Sequence, residues 1–176
     1  TVLAVSKHGH CLNSILHRVS TGTLPLEIVA VVSNHQDMRS LAEWHGLPYH
    51  YLPIINGDKA GQEKRIAEIY ASCNAWLFAS RCEGFGLPVL EAMSCRTPVI
   101  GTPTGVAPEA IAEGGGMLVK PDDAPEMAIA IERICRMKEA EWKQMSEAAY
   151  ATAARFTWEN SARLFEEALT TISTSR

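Results

Sequence analysis

Six short apolar runs alternate with helical patterns along the 176 residues, at positions 2–5, 28–32, 49–52, 75–79, 98–101 and 117–119. The second is a β-branched run, Ile28-Val29-Ala30-Val31-Val32, which suits a strand. Between the runs, apolar residues recur at helical spacing, as in Leu12, Ile15, Leu16 and Val19 before Gly22. Asn34 and Asp37 are the available caps for a helix over 36–44. The next helix, from about residue 60, carries Ile66, Ile69 and Tyr70 on one side. Pro88 suits the first turn of another, where its missing N–H costs little. A short helix spans 107–112. Asp123 with Glu126 resembles a capping box, and two helices follow over 139–154 and 158–172, the second capped by Thr157. Strands and helices in strict alternation imply parallel β/α units joined by right-handed crossovers. The expected fold is α/β, a Rossmann-like doubly wound three-layer sandwich with six parallel strands in the order 3-2-1-4-5-6. Its crevice opens where strands one and four part, beside the loops at 6–10 and 80–86.

Several function classes are disfavoured at once. Net charge is −4 without a Lys/Arg block, so nucleic acid is not an expected partner. No apolar run approaches the roughly 20 residues of a membrane span. The five cysteines are odd in number and scattered, which fits reduced thiols and a cytoplasmic setting. His8, His10 and Cys11 have ligand chemistry, but neighbours on one turn rarely converge on one ion, so no metal and no cofactor are expected. The chain starts at Thr1 on a strand, with no leader pattern, and a trimmed or engineered origin is expected.

Composition changes along the chain. All six histidines precede residue 51, while 5 alanines fall in residues 1–70 and 18 in residues 71–176. No Pro/Gly/Ser linker marks the change. The break therefore falls inside one architectural unit, and a single domain over 1–176 is expected, assembled from halves 1–68 and 69–176.

The sharpest motif is Glu83-Gly84-Phe85-Gly86-Leu87-Pro88-Val89-Leu90-Glu91. Two glycines permit tight turns just before a helix N-terminus, where free N–H groups and the helix dipole can receive a phosphate. Glu83 in the loop and Glu91 one turn into the helix suit sugar and ribose hydroxyls. Spacing alone equally fits a plain strand–helix turn with two solvated acids. Ser6 and Lys7 are candidates to contact an anion in the crevice. Asp37, Glu43 and the charges of the last helices read as solvated faces, and Trp44, Trp76, Trp142 and Trp158 read as core.

The longer string carries more. Ser80, Glu83 to Pro88, Leu90-Glu91-Ala92-Met93, Thr97-Pro98-Val99-Ile100, Gly105, Pro108-Glu109 and Phe156-Thr157-Trp158 resemble retaining glycosyltransferases of the GT-B architecture, family 4. The resemblance runs from about Tyr70 to Leu169. It implies that Glu83, Phe85 and Gly86 meet a donor sugar, that Leu87 lies by the diphosphate, and that Glu91 holds the ribose. That family's acceptor-binding domain and the basic residues that neutralise its diphosphate fall outside the resemblance. The first part differs. Val5-Ser6-Lys7, His10-Cys11-Leu12, Ser33-Asn34-His35, Arg39-Ser40-Leu41, Glu43-Trp44-His45-Gly46 and Leu47-Pro48-Tyr49 resemble formyltetrahydrofolate deformylase, from Thr1 to about Glu68. The catalytic Asn, His and Asp of that family lie beyond the resembling segment, and Asn34-His35 does not match them.

Two families joined inside a helix imply an engineered chimeric Rossmann-like scaffold without the activity of either parent. The alternatives are a residual, weak binding module for a nucleotide, sugar phosphate, phosphate or sulfate in the crevice, or a truncated glycosyltransferase donor domain.

Overall fold

The computed structural model describes residues 1–5 and 7–174. The chain divides into two compact units, Thr1–Arg65 and Ile66–Arg176. Each is a three-stranded parallel β/α unit of Rossmann-like type.

In the first unit the strands are β1 (Val2–Val5), β2 (Ala30–Ser33) and β3 (Tyr49–Tyr51), in spatial order β1-β2-β3. This is the 3-2-1 run of the expected order. Leu3, Val31 and Tyr49 lie side by side in register, so their side chains share one face. Leu12 and Leu16 of α1 (His10–Ser20) and Ala42 of α2 (Arg39–Trp44) cover that face and complete a small core. Helix α3 (Lys59–Ala71) is continuous, and the division between the units falls within it. The Gln62 amide donates to the Leu52 carbonyl at 2.6 Å and holds the start of α3 to the end of β3.

In the second unit β4 (Trp76–Phe78), β5 (Val99–Gly101) and β6 (Gly116–Leu118) pair in the order β4-β5-β6. Successive β5 residues point to opposite faces. Val99 joins Phe78, Val89, Met93, Ala110 and Ala149 in one core. Ile100 joins Val119, Ala130 and Ile134 in another. Helices α4 (Leu87–Ser94), α5 (Ala107–Ile111) and α7 (Glu139–Ala153) thus lie on one side and α6 (Ala124–Cys135) on the other, three layers deep. The final helix is α8 (Trp158–Thr174).

Local expectations meet mixed outcomes. Asp123 caps α6, accepting from the Glu126 N–H at 2.9 Å. The Glu126 carboxylate does not return to the cap; it accepts from the Lys120 N–H at 2.8 Å. Thr157 accepts from the Asn160 N–H at 3.1 Å at the start of α8. Neither Asn34 nor Asp37 caps α2, which starts later, after Met38, with no side-chain cap. Trp76 and Trp142 are partly buried against the cores, but Trp44 and Trp158 are 81% and 89% exposed and are not core. Helical spacing marks a face; it does not say that anything covers it.

Candidate functional site

The loop between β4 and α4 starts at the C-terminal end of a parallel strand, where α/β units place their ligands. Its path is held from one side by the segment after β5. The Thr102 hydroxyl donates to the Ser80 carbonyl, and the Thr102 N–H donates to the Phe78 carbonyl at 3.0 Å. Further along, the Val106 N–H donates to the Phe85 carbonyl at 2.7 Å. The Ser80 hydroxyl donates to the Glu83 carboxylate and folds it back over the turn.

Gly86 then serves as the N-cap of α4 with φ 86° and ψ 44°. A left-handed conformation there favours glycine, and a Cβ would meet the Phe78 ring at 3.2 Å. Pro88 occupies the first turn. Gly84 differs from expectation. It has neither a positive φ nor any atom within 4 Å of a Cβ position, so only Gly86 of the pair is required by the backbone. The glycine that the loop does require is Gly105, at φ 54°, where a Cβ would collide with the Phe85 carbonyl. Gly105 stands in the longer string that carries the resemblance, but the contact that requires a glycine there is made only in the fold. Replacing Gly105 by alanine is expected to cost about 2 kcal/mol from overpacking and backbone strain. Urea melts with an unchanged midpoint would contradict that close approach.

Among the described residues no protein group accepts from the N–H of Gly86 or Leu87. No side chain caps α4 and no acid sits in its first turn. The positive end of the helix dipole is therefore open. Around it, Glu83 and Glu91 are exposed, while Phe85 and Leu87 are 49% and 58% exposed. Glu91 lies one turn along α4 beside the Tyr70 hydroxyl. Burial raises the Tyr70 phenol above its ordinary range, and the Glu91 and Cys95 charges add to the shift. The phenol thus stays protonated and can donate to Glu91. Tyr70 is itself fixed, edge-on to Trp76 at 4.9 Å and accepting at its carbonyl from the Thr97 hydroxyl at 2.7 Å.

Positive charge is scarce at the loop. Arg81 is the near cation in sequence, but it is paired with Asp122 at 2.7 Å. Lys7 is exposed two residues after β1, in the first unit. Ser6, the other candidate anion contact, lies outside the described residues. Among the described residues no group of three His, Cys, Asp or Glu side chains converges as metal ligands, and no helix is long and apolar enough to cross a membrane.

Residues 59–152 match the profile of the family described as glycosyl transferases group 1. Two sequence likenesses divide the chain. One is to formyltetrahydrofolate deformylase of Corynebacterium sp., 42% identical over 76 residues, 43% of this chain and 27% of the relative. The other is to O-antigen chain mannosyltransferase B of Escherichia coli, 34% identical over 99 residues, 56% of this chain and 25% of the relative. The chain thus spans about a quarter of the length of these relatives. Among solved structures, Anabaena HepE in complex with UDP and glucose aligns with a TM-score of 0.61 and 20% identity, over 97% of this chain and 48% of that one. At that identity the match speaks to the fold alone.

Proposed function

The chain belongs to the glycosyl transferases group 1 family through residues 59–152, and on that premise we propose that its second unit is a donor-side binding module. Its ligand is a nucleoside diphosphate or sugar phosphate, and it performs no glycosyl transfer of its own. The observation that carries this reading is the open N-terminus of α4, with the Gly86 and Leu87 N–H groups unclaimed among the described residues. Two N–H groups and a helix dipole are a ready receptor for phosphate oxygens. Glu91, one turn along, accepts from ribose hydroxyls. Glu83, Gly84, Phe85 and Gly86 face the sugar, and Leu87 covers the diphosphate.

Magnitudes set the affinity. A helix N-terminus contributes about 0.3–1 kcal/mol when exposed and up to ~2 when partly buried. Millimolar binding already requires about 4 kcal/mol. Glu83 and Glu91 add negative charge beside an anion, and Arg81 is committed to Asp122. Binding is therefore expected to be no tighter than millimolar, and glycosyl transfer is expected to be absent. Because HepE holds UDP and glucose, UDP is the first probe. Calorimetric titration should give a saturable millimolar isotherm with the full chain, lost in Glu91→Ala. A flat titration to tens of millimolar would remove the proposal, and a micromolar constant would mean a better-formed site than this.

A second reading has its own observation. A deformylase-like segment and a glycosyltransferase-like segment meet in a chain whose α3 runs unbroken across the division at residues 65/66. Natural fusions more often join whole domains through exposed linkers. We propose that the chain is an engineered chimera folding as one domain, with Ser6 and Lys7 as remnants of the first parent rather than part of a working site. It should release no formate from 10-formyltetrahydrofolate above a buffer blank. A natural reading frame encoding both segments without interruption would contradict the engineered origin.

A further inference from the structure

The loops that leave the C-terminal ends of β4 and β6 are joined by one ion pair. Residues 79–86 carry a single cation, Arg81, and residues 119–123 include Asp122. The Arg81 Nε–H donates to the Asp122 Oδ1 at 2.8 Å, and Nη2 lies 2.7 Å from the same oxygen. Strand β5 stands between β4 and β6, so the pair links loops whose strands are not neighbours. Asp122 holds a left-handed backbone at φ 60°, which a residue with a Cβ seldom adopts unless its surroundings fix it. They do so on both sides. The Lys120 N–H donates to the Glu126 carboxylate at 2.8 Å, and Asp123 caps α6. The Asp122 carboxylate is thus presented from a set turn, and the long Arg81 side chain comes to it.

The pair is built to yield. Its side chains are 79% and 63% exposed, and an ion pair in water contributes little. Both Arg81 donors also crowd onto one carboxylate oxygen. The oxygens of a phosphate can take them one each, which is the stronger arrangement. Arg81 and Gly86 sit in one short loop, turned by the Ser80–Glu83 hydrogen bond. A freed cation acts on an anion over the ~8 Å of a Debye length without touching it. We propose that the Arg81–Asp122 pair is a latch on the anion site: Asp122 withholds Arg81 from the start of α4, and a bound phosphate competes with the Asp122 carboxylate for the guanidinium. This rests on the reading of the α4 N-terminus as a phosphate receptor, and it names Asp122 as the residue that sets the affinity.

UDP and inorganic phosphate are the probes, added to the full chain while the Gly86 and Leu87 amides and the Arg81 Nε–H are followed by NMR. Asp122→Asn keeps a left-handed backbone, which asparagine tolerates. It should tighten UDP binding about fivefold at about 50 mM salt, with the gain shrinking at about 500 mM as the charges are screened. Asp122→Gly, freer still at that φ, should do the same, and inorganic phosphate should follow the same order. Adding Arg81→Gln to either variant should cancel the gain. Glu132→Gln removes an equal charge from another exposed pair, with Arg136, and should change the affinity less than about twofold. In the parent chain the Arg81 Nε–H should move along the same curve as the two amides. A saturable curve at Gly86 and Leu87 that is the same in the parent and in Asp122→Asn would overturn the latch and leave the anion site standing. So would a gain that survives Arg81→Gln, or one that Glu132→Gln reproduces. A curve seen only in the Asp122 variants would support the latch in its strongest form. No response of the two amides in any of these chains would overturn the latch and the anion site together.

Discussion

Replacing Gly116 by alanine is expected to be among the most damaging single changes to this chain. Gly116 opens β6 directly opposite Val99 of β5. A Cβ on Gly116 would run into the backbone carbonyl of Val99, and a backbone atom in a ladder cannot step aside as a side chain can. The ladder here is short. The Val99 N–H donates to the Gly115 carbonyl at 3.2 Å, and the Val119 N–H donates to the Gly101 carbonyl at 2.9 Å. Displacing β6 would pull Val119 out of the core it shares with Ile100, Ala130 and Ile134. Overpacking alone costs about 1–3 kcal/mol, and the strained ladder adds to it, so a loss of about 3 kcal/mol is expected. Guanidinium melts would read it as a lower midpoint. A Gly116→Ala chain as stable as the parent would mean that β5 and β6 are not paired as described.

The second large effect is at Met93. Its side chain is fully buried in the α4–α7 layer, in the core formed with Val89, Val99 and Ala149. Truncation to alanine removes its transfer energy and leaves a cavity, an expected cost of about 2–5 kcal/mol. Gly115 sharpens this expectation. A Cβ there would lie 2.6 Å from the Met93 methyl and 2.7 Å from the Ala149 Cα, so backbone and side chain are already in close contact and relaxation into the void is restricted. A loss below about 1 kcal/mol would show that this layer collapses freely.

Much of this architecture is legible where one residue type has one physical use. Asp123 and Thr157 read as caps because a short oxygen-bearing side chain before an apolar run satisfies helix N–H groups, and both do. Pro88 reads as a first-turn residue for a similar reason. Asn34 and Asp37 offer the same chemistry, yet α2 begins after Met38. There Met38 is drawn in by packing, with its sulfur against Gly9. Strand β2 is displaced toward Ser33 relative to the β-branched run, because its ends follow pairing with Val2–Val5 and not its own propensity. Trp44 and Trp158 misled because an aromatic at helical spacing marks a face, and burial depends on what the rest of the chain supplies.

The candidate site divides in the same way. Gly86 and the exposed carboxylates of Glu83 and Glu91 follow from a local motif. The parts that shape it are long-range: Gly105 under the Phe85 carbonyl, Thr102 on Ser80, and Asp122 taking Arg81 across 41 positions. Ser80 and Gly105 stand in the quoted string, but which residues they touch is decided only in the fold. Arg81 bears most on the proposed binding, since its pairing with Asp122 offsets the charge of a nearby cation and lowers the expected affinity.

The central claim is that the Gly86 and Leu87 N–H groups receive a phosphate. Amide resonances of the full chain, followed during a UDP titration, test it directly. The Gly86 and Leu87 amides should move first and furthest, to lower field, along one saturable millimolar curve. Inorganic phosphate should shift the same two amides more weakly. Glu91→Ala should abolish the saturable UDP curve and keep the small response to phosphate. Shifts centred elsewhere while Gly86 and Leu87 stay still would contradict the account, even if UDP bound.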